Sequence, residues 1–338
     1  MKIRDAVDDF SSYDSGRREA EIRLDKNESP FSLPPELKSQ VSEKLESLSF
    51  NRYPDPTSNG LRGKLADFYD LKPGNVVVGS GSDQLISYAV QLFAGNHAVI
   101  APPTFSMYRF YSELAGLEVK EVPLTNNYDL RLKEIKEVLD GAAMIFLCSP
   151  NNPTGNVFAR ETLIKLLKTG KPLILDEAYV EFSGESQFEL IEEFENLIVL
   201  RTFSKAFGLA GARAGYALAH GKTAEKLLRV KPPYNLSSTS AGIAKVVLEN
   251  YDVVRERIDR IIDERERIYE EFNEFAVQSK ANFLLMDLDA GKYLGSRGVA
   301  VREFSGRLED KIRVTVGTES ENDRLINNLN DFISSKVD

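Results

Sequence analysis

The chain is 338 residues long, more than one module of roughly 100 to 200 residues and enough for a large lobe plus a smaller one. Its 43 Lys+Arg against 52 Asp+Glu leave a net charge of −9, which repels phosphate backbones and anionic lipid, so neither nucleic acid nor a membrane is an expected partner. One cysteine, Cys148, rules out an internal disulfide framework, and two histidines, His97 and His220, leave little for a zinc site, so no metal is expected. The shortage of histidine also shifts proton transfer to Lys, Tyr or a carboxylate, and so toward carbonyl or amine chemistry with a lysine at its centre.

In chain order, the Met1-Lys-Ile-Arg-Asp5 start is charged and lacks an apolar h-region. No secretory signal is expected there, no stretch approaches the ~20 apolar residues of a membrane span, and a cytoplasmic location follows. Residues 1–35 are polar and read as an arm lying across other parts of the protein. From about residue 60 to 235, short apolar runs alternate with amphipathic stretches of helical period. The runs begin at Asn75, Ala98, Ala142, Pro172, Leu197 and Ala214, and they read as buried strands of a largely parallel sheet covered on both faces, an α/β layered domain over residues 36–236. In such sheets ligands sit beyond the carboxyl ends of the strands, so the residues closing each run carry the interest.

Four such closures stand out. Val78-Gly-Ser-Gly-Ser-Asp-Gln84 is a strand feeding a glycine turn that opens a helix, whose free N–H groups suit a phosphate; the third glycine of a dinucleotide fingerprint is absent. Cys148-Ser-Pro-Asn-Asn-Pro-Thr-Gly-Asn156 follows another strand and is, taken alone, compatible with a simple turn. Leu173-Ile-Leu-Asp-Glu-Ala-Tyr179 ends a strand on Asp176, either a helix N-cap or a carboxylate facing a cationic ring nitrogen, with the Tyr179 phenol nearby. In the segment Arg201 to Tyr216, Lys205 closely follows a strand, small residues let the backbone pass close to something, and Arg213 stands eight positions on. A lysine held there loses hydration of its ammonium form, so its pKa falls and it becomes an amine nucleophile, with Arg213 and Ser204 gripping an anion beside it. Beyond Ser237 the pattern is helical to about Phe275, then strands follow near Asn282 and Lys311, which makes residues 237–338 a smaller α+β lobe. The charge run Glu264-Arg-Glu-Arg267 reads as a solvated helix face.

Asn-Pro-Thr-Gly, then Asp-x-x-Tyr, then Ser-Lys with Arg eight residues later resemble, in order and spacing and over essentially the whole chain, the class I and II aminotransferases, which are fold-type I pyridoxal-phosphate enzymes. The resemblance implies a mostly parallel seven-stranded sheet flanked by helices, and pyridoxal 5'-phosphate as cofactor. It implies that Lys205 holds the cofactor and shuttles the proton, that Asp176 keeps the pyridine nitrogen protonated, and that Tyr179 and Asn152 bond the ring hydroxyl oxygen. It further implies that Ser82, Asp83, Ser204 and Arg213 bind the cofactor phosphate while Phe105, or alternatively Tyr108, stacks on the ring.

Finer features are similar to the histidinol-phosphate aminotransferase family: Leu24-Asp-Lys-Asn-Glu-Ser-Pro-Phe31, Arg52-Tyr-Pro-Asp-Pro56, Pro103-Thr-Phe-Ser-Met-Tyr108 and Ile312-Arg-Val-Thr-Val-Gly-Thr318. That likeness implies a homodimer in which Tyr53 reaches the neighbouring subunit's cofactor phosphate and the N-terminal arm packs on the small domain and the partner. It implies substrate contacts from Tyr13, Asn27, Arg302 and Arg313, and histidinol phosphate with glutamate/2-oxoglutarate as substrates. Phe105 stands where Tyr is common, and Lys26 and Ser29 vary the surroundings of Asn27. Rival readings are a decarboxylase of an O-phosphorylated amino acid such as phosphothreonine, an aromatic or broad aminotransferase, and a non-catalytic cofactor-binding module. A nicotinamide dehydrogenase is disfavoured, because no GxGxxG with a downstream acidic residue follows the first strand.

Overall fold

The computed structural model describes residues 20–337. Its strands, in chain order, are β1 (Ile22–Leu24), β2 (Val76–Gly79), β3 (His97–Ile100), β4 (Glu118–Glu121), β5 (Ala142–Cys148), β6 (Leu173–Asp176), β7 (Leu197–Thr202), β8 (Gly215–Ala219), β9 (Phe283–Met286), β10 (Val299–Glu303) and β11 (Ile312–Thr315). Seven of them form one sheet in the order β2-β8-β7-β6-β5-β3-β4, parallel throughout except for β8, which runs antiparallel to both neighbours. This is the expected α/β sheet. β5, β6 and β7 are buried along their whole length, because helices cover both faces and every side chain meets an apolar layer.

The six apolar runs account for all but one strand of this sheet. The exception, β4, reads Glu-Val-Lys-Glu and is mostly exposed, so no apolar run announces it; it pairs in parallel with β3, and its charges blunt the open edge.

The second sheet has the order β1-β10-β11-β9. Here β1, from the arm, runs parallel to β10 with Ile22 opposite Val299 and Leu24 opposite Val301. The polar arm thus supplies an edge strand to the C-terminal half, since Ile22 and Leu24 bury on the small core while Arg23 faces out. Past that strand the chain carries Asp25, Lys26 and Asn27 toward the carboxyl ends of the large sheet.

The long helical stretch divides at Asn250 into Ser238–Glu249 and Tyr251–Glu271. Val247, Val254, Ile258 and Ile261 bury in the core of the large sheet, whereas Ile268 belongs to the core of the small sheet with Leu24, Met286, Val301 and Val314. One helix therefore spans both cores. The solvated-face reading of Glu264-Arg-Glu-Arg267 fails at Arg265, which is only 3% exposed. Its Nη1 donates to the Ala281 carbonyl at 3.0 Å and its Nη2 meets Glu266 at 2.6 Å, so the guanidinium staples the helix to the strand that follows. A charge run carries no trace of which residue a neighbouring backbone will need.

Among the described residues no helix is long and apolar enough to cross a membrane, and no group of three or more His, Cys, Asp or Glu could hold a metal ion.

Candidate active site

The site forms where β5, β6 and β7 end and the glycine turn after β2 opens the helix Ser82–Leu92. That helix has no side-chain cap, so its first-turn N–H groups are left for a ligand. Gly81, with φ 79°, caps it, and a Cβ there would lie 2.6 Å from Arg213 Nη2. The positive φ is what favours glycine there, and without a Cβ the guanidinium lies close over the turn. Arg213, itself at φ 50°, pairs with Asp83 Oδ2 at 3.5 Å and stays about half exposed, so its charge remains available to an anion.

Asp176 closes β6 at 3% exposure. Its Oδ2 accepts from the Tyr108 hydroxyl at 2.8 Å and its Oδ1 from the Ala178 N–H at 3.0 Å. Burial raises its carboxyl to about 6 against those two donors, which favour the ionised form. Tyr108 is fully buried and lies flat on Phe146, ring centroids 5.0 Å apart and planes 5° from parallel. The sequence leaves Tyr108 as an alternative to Phe105 for stacking on the ring; the structure puts Phe105 in the cavity lining and Tyr108 on Asp176. It is the second residue of the helix Met107–Leu114, three positions after Phe105, and nothing in that spacing marks its bond to Asp176.

The Tyr179 hydroxyl accepts from two amides, Asn27 Nδ2 at 3.1 Å and Asn152 Nδ2 at 3.3 Å. Burial pushes this phenol well up, partly offset by Arg313. Asn152 Oδ1 in turn accepts from Arg313 Nη1 at 2.7 Å, while Arg313 Nη2 donates to the Asp25 carbonyl at 2.5 Å. Asn27 is held in a left-handed conformation by Thr315 and by Asn282, whose Nδ2 donates to the Asn27 carbonyl at 3.2 Å. Asn27 thus reaches Tyr179 because β11 and the residue before β9 fix its backbone.

The segment carrying Tyr179 has a second anchor. Arg201 on β7 meets Glu177 and Glu181, each at 2.9 Å, with all three side chains at most 6% exposed. The two glutamates flank Tyr179, so one buried guanidinium fixes the turn between them.

Lys205 Nζ donates to the Lys26 carbonyl at 2.9 Å. Burial, then the positive Arg313, lowers its amine to about 8, against the pull of Glu28 and Asp83. Ser204 precedes it, its N–H bonded to Thr202 Oγ1 at 3.0 Å.

Ser82, Asp83, Phe105, Asn152, Asp176, Tyr179, Ser204, Lys205 and Arg213 line one inner cavity of about 120 Å³. It shares Phe105, Asn152, Tyr179 and Lys205 with an outer cleft of about 410 Å³, along which stand Asn27, Arg302 and Arg313. Arg302 and Arg313 are direct cross-strand partners of β10 and β11, so both project from one face. Tyr53 lines neither space: it is 82% exposed and stacks on Tyr234 at 4.7 Å. Tyr13 lies outside the described residues.

The family described as aminotransferase class I and II matches residues 19–329. The chain is 50% identical over 331 residues to a histidinol-phosphate aminotransferase of Pyrococcus furiosus, covering 98% of both. It is 48% identical to one of Thermococcus gammatolerans, covering 96% of this chain and 95% of that protein. Its backbone also matches the crystal structure of histidinol-phosphate aminotransferase from Sinorhizobium meliloti in complex with pyridoxal-5'-phosphate, with a TM-score of 0.89 at 24% identity over 99% of this chain and 98% of that one. At that identity the likeness is one of fold.

Proposed function

We propose a reaction on one premise, that the chain belongs to the class I and II aminotransferase family. It transfers the amino group of histidinol phosphate to 2-oxoglutarate, giving imidazole-acetol phosphate and glutamate, with pyridoxal 5'-phosphate as cofactor. The observation that carries this reading is the inner cavity, where a desolvated lysine amine, a buried carboxylate and an anion-binding turn open on the same space. The choice of substrate draws on the relatives at 50% and 48% identity.

The residues fit the cofactor. Arg213 over Gly81, the uncapped helix start and Ser204 suit its phosphate. Asp176 is a buried carboxylate in need of a cation, and Phe105 offers a ring to stack on. When bound, the cofactor supplies an aldehyde for amines and an electron-withdrawing pyridinium ring. Asp176, ionised above about 6, keeps the ring nitrogen protonated. Tyr179, held by Asn27 and Asn152, bonds the ring hydroxyl oxygen. Lys205, with its amine lowered to about 8, is free base to the extent of roughly one-tenth at pH 7, far more than a lysine at its ordinary 10.5; it would bind the aldehyde and afterwards move the proton from the substrate carbon. Arg302 and Arg313 form two guanidinium forks at the cleft, suited to a phosphate in one half-reaction and a carboxylate in the other.

Tyr53 and Tyr234, both exposed and stacked on one another, support a homodimer in which Tyr53 completes the partner's site. We assign the protein to the cytoplasm, and Tyr13 to the substrate side. We divide the chain into an arm (1–35), a large domain (36–236) and a small domain (237–338).

Histidinol phosphate and glutamate, added singly to the cofactor-loaded protein, are each expected to discharge the absorbance of the bound cofactor, while phosphothreonine leaves it unchanged. Carbon dioxide release from phosphothreonine would reverse the substrate assignment. Tyr108→Phe removes a donor from Asp176 and raises the carboxyl further. The pH below which cofactor binding fails then moves up by roughly one unit, read from binding titrations between pH 5 and 8.

A further inference from the structure

Lys231-Pro-Pro-Tyr-Asn235 follows the helix Gly221–Val230; apart from Tyr234, which stacks on Tyr53, none of its residues has been given a role above. Lys231 is nevertheless 7% exposed, and its ammonium spends all three donors on oxygens: the carbonyls of Pro56 at 2.8 Å and Pro232 at 3.2 Å, and Asn235 Oδ1 at 2.7 Å. Asn235 Nδ2 then donates to Gln84 Oε1 at 2.8 Å and to the Val78 carbonyl at 3.1 Å. The same Gln84 oxygen accepts the Ser80 N–H at 2.8 Å.

Amide orientations in this chain are not interchangeable. Lys231 and the Ser80 N–H can only donate, so Asn235 must turn its oxygen to Lys231 and its NH2 to Gln84, and Gln84 must present its oxygen to both. The network fixes the end of β2 at Val78 and the turn at Ser80. With Ser80 satisfied by Gln84, the uncapped helix start at Ser82 and Asp83 is left facing the inner cavity.

We propose that Asn235, oriented by Lys231, is a positioning residue for the anion end of the cavity, acting through Gln84 on the turn that receives the cofactor's phosphate. The inference rests on reading that turn as the phosphate pocket. Asn235 touches neither cavity; it sets the place of groups that do.

The test compares pyridoxal 5'-phosphate with pyridoxal, which lacks the phosphate, on full-length wild type, Asn235→Ala and Asn235→Asp. The Asp variant keeps an oxygen for Lys231 and so guards against simple misfolding, yet it cannot donate to Gln84. Both variants are expected to weaken the phosphorylated cofactor on the order of tenfold, the scale of one lost hydrogen bond, and to leave pyridoxal affinity unchanged. Equal loss of both ligands marks a general structural defect and overturns the proposal, as does an Asn235→Asp protein that binds the phosphorylated form like wild type. Wild type that fails to prefer the phosphorylated form removes the pocket reading itself, and the inference with it.

Discussion

Lys205→Ala is expected to lower kcat by at least ~10⁴-fold, because one side chain serves both as the amine that binds the aldehyde and as the base that moves the proton. The purified variant should lack the absorbance of covalently held cofactor and should not turn over histidinol phosphate with 2-oxoglutarate; full activity would sink the mechanism. A second readout needs no cofactor. In the folded apoprotein the Lys205 amine sits at about 8, below its ordinary 10.5, so between those values the unfolded chain binds the extra proton. Stability contributed at this residue therefore rises with pH across that window, and the burial penalty is complete below about 8. The alanine variant should lose that rise in pH-dependent melting while wild type keeps it.

Asp176→Asn is expected to reduce kcat by ~10²–10³-fold, the scale for removing one preorganised electrostatic group, since the amide cannot hold a proton on the ring nitrogen. The same change should stabilise the apoprotein. Burial raises the Asp176 carboxyl from 3.8 to about 6, so the folded state holds its proton more tightly, and stability is lost as pH climbs through that window. At about 1.4 kcal/mol per pH unit, the ionised carboxylate costs the cofactor-free fold about 2–3 kcal/mol at pH 7 and nothing near pH 3. Melting curves of the apoproteins should show Asp176→Asn above wild type at pH 7, with the gap closing toward pH 4. A variant less stable at pH 7 would mean that the carboxylate is already compensated within the protein. Both residues illustrate how a binding site keeps groups that the empty fold would favour in another form.

Much of this site was legible along the chain because its groups end strands, and strands announce themselves as short apolar runs. Asp176 and Lys205 needed only that reading, as did the glycine turn before Ser82. Other parts carried no local mark. β4 is a charged edge strand, β1 is three residues long, and Arg265 lies buried inside a run of charges. Arg201 looked like the first residue of the lysine motif, yet it anchors Glu177 and Glu181 around Tyr179. These roles depend on partners far away in sequence, which periodicity cannot register.

By itself the sequence determined the layered α/β class, the identity of the chemical groups and the family, because these rest on residue type and spacing. Only the tertiary structure decided how those groups are tuned. It placed Tyr108 on Asp176, carried the arm across so that Lys26 meets Lys205 and Asn27 meets Tyr179, and set Arg302 beside Arg313. The physical reason is that desolvation and hydrogen bonding depend on what surrounds a group in space. A carboxyl at about 6 and an amine at about 8 are properties of the folded cavity, and no stretch of the chain carries them alone.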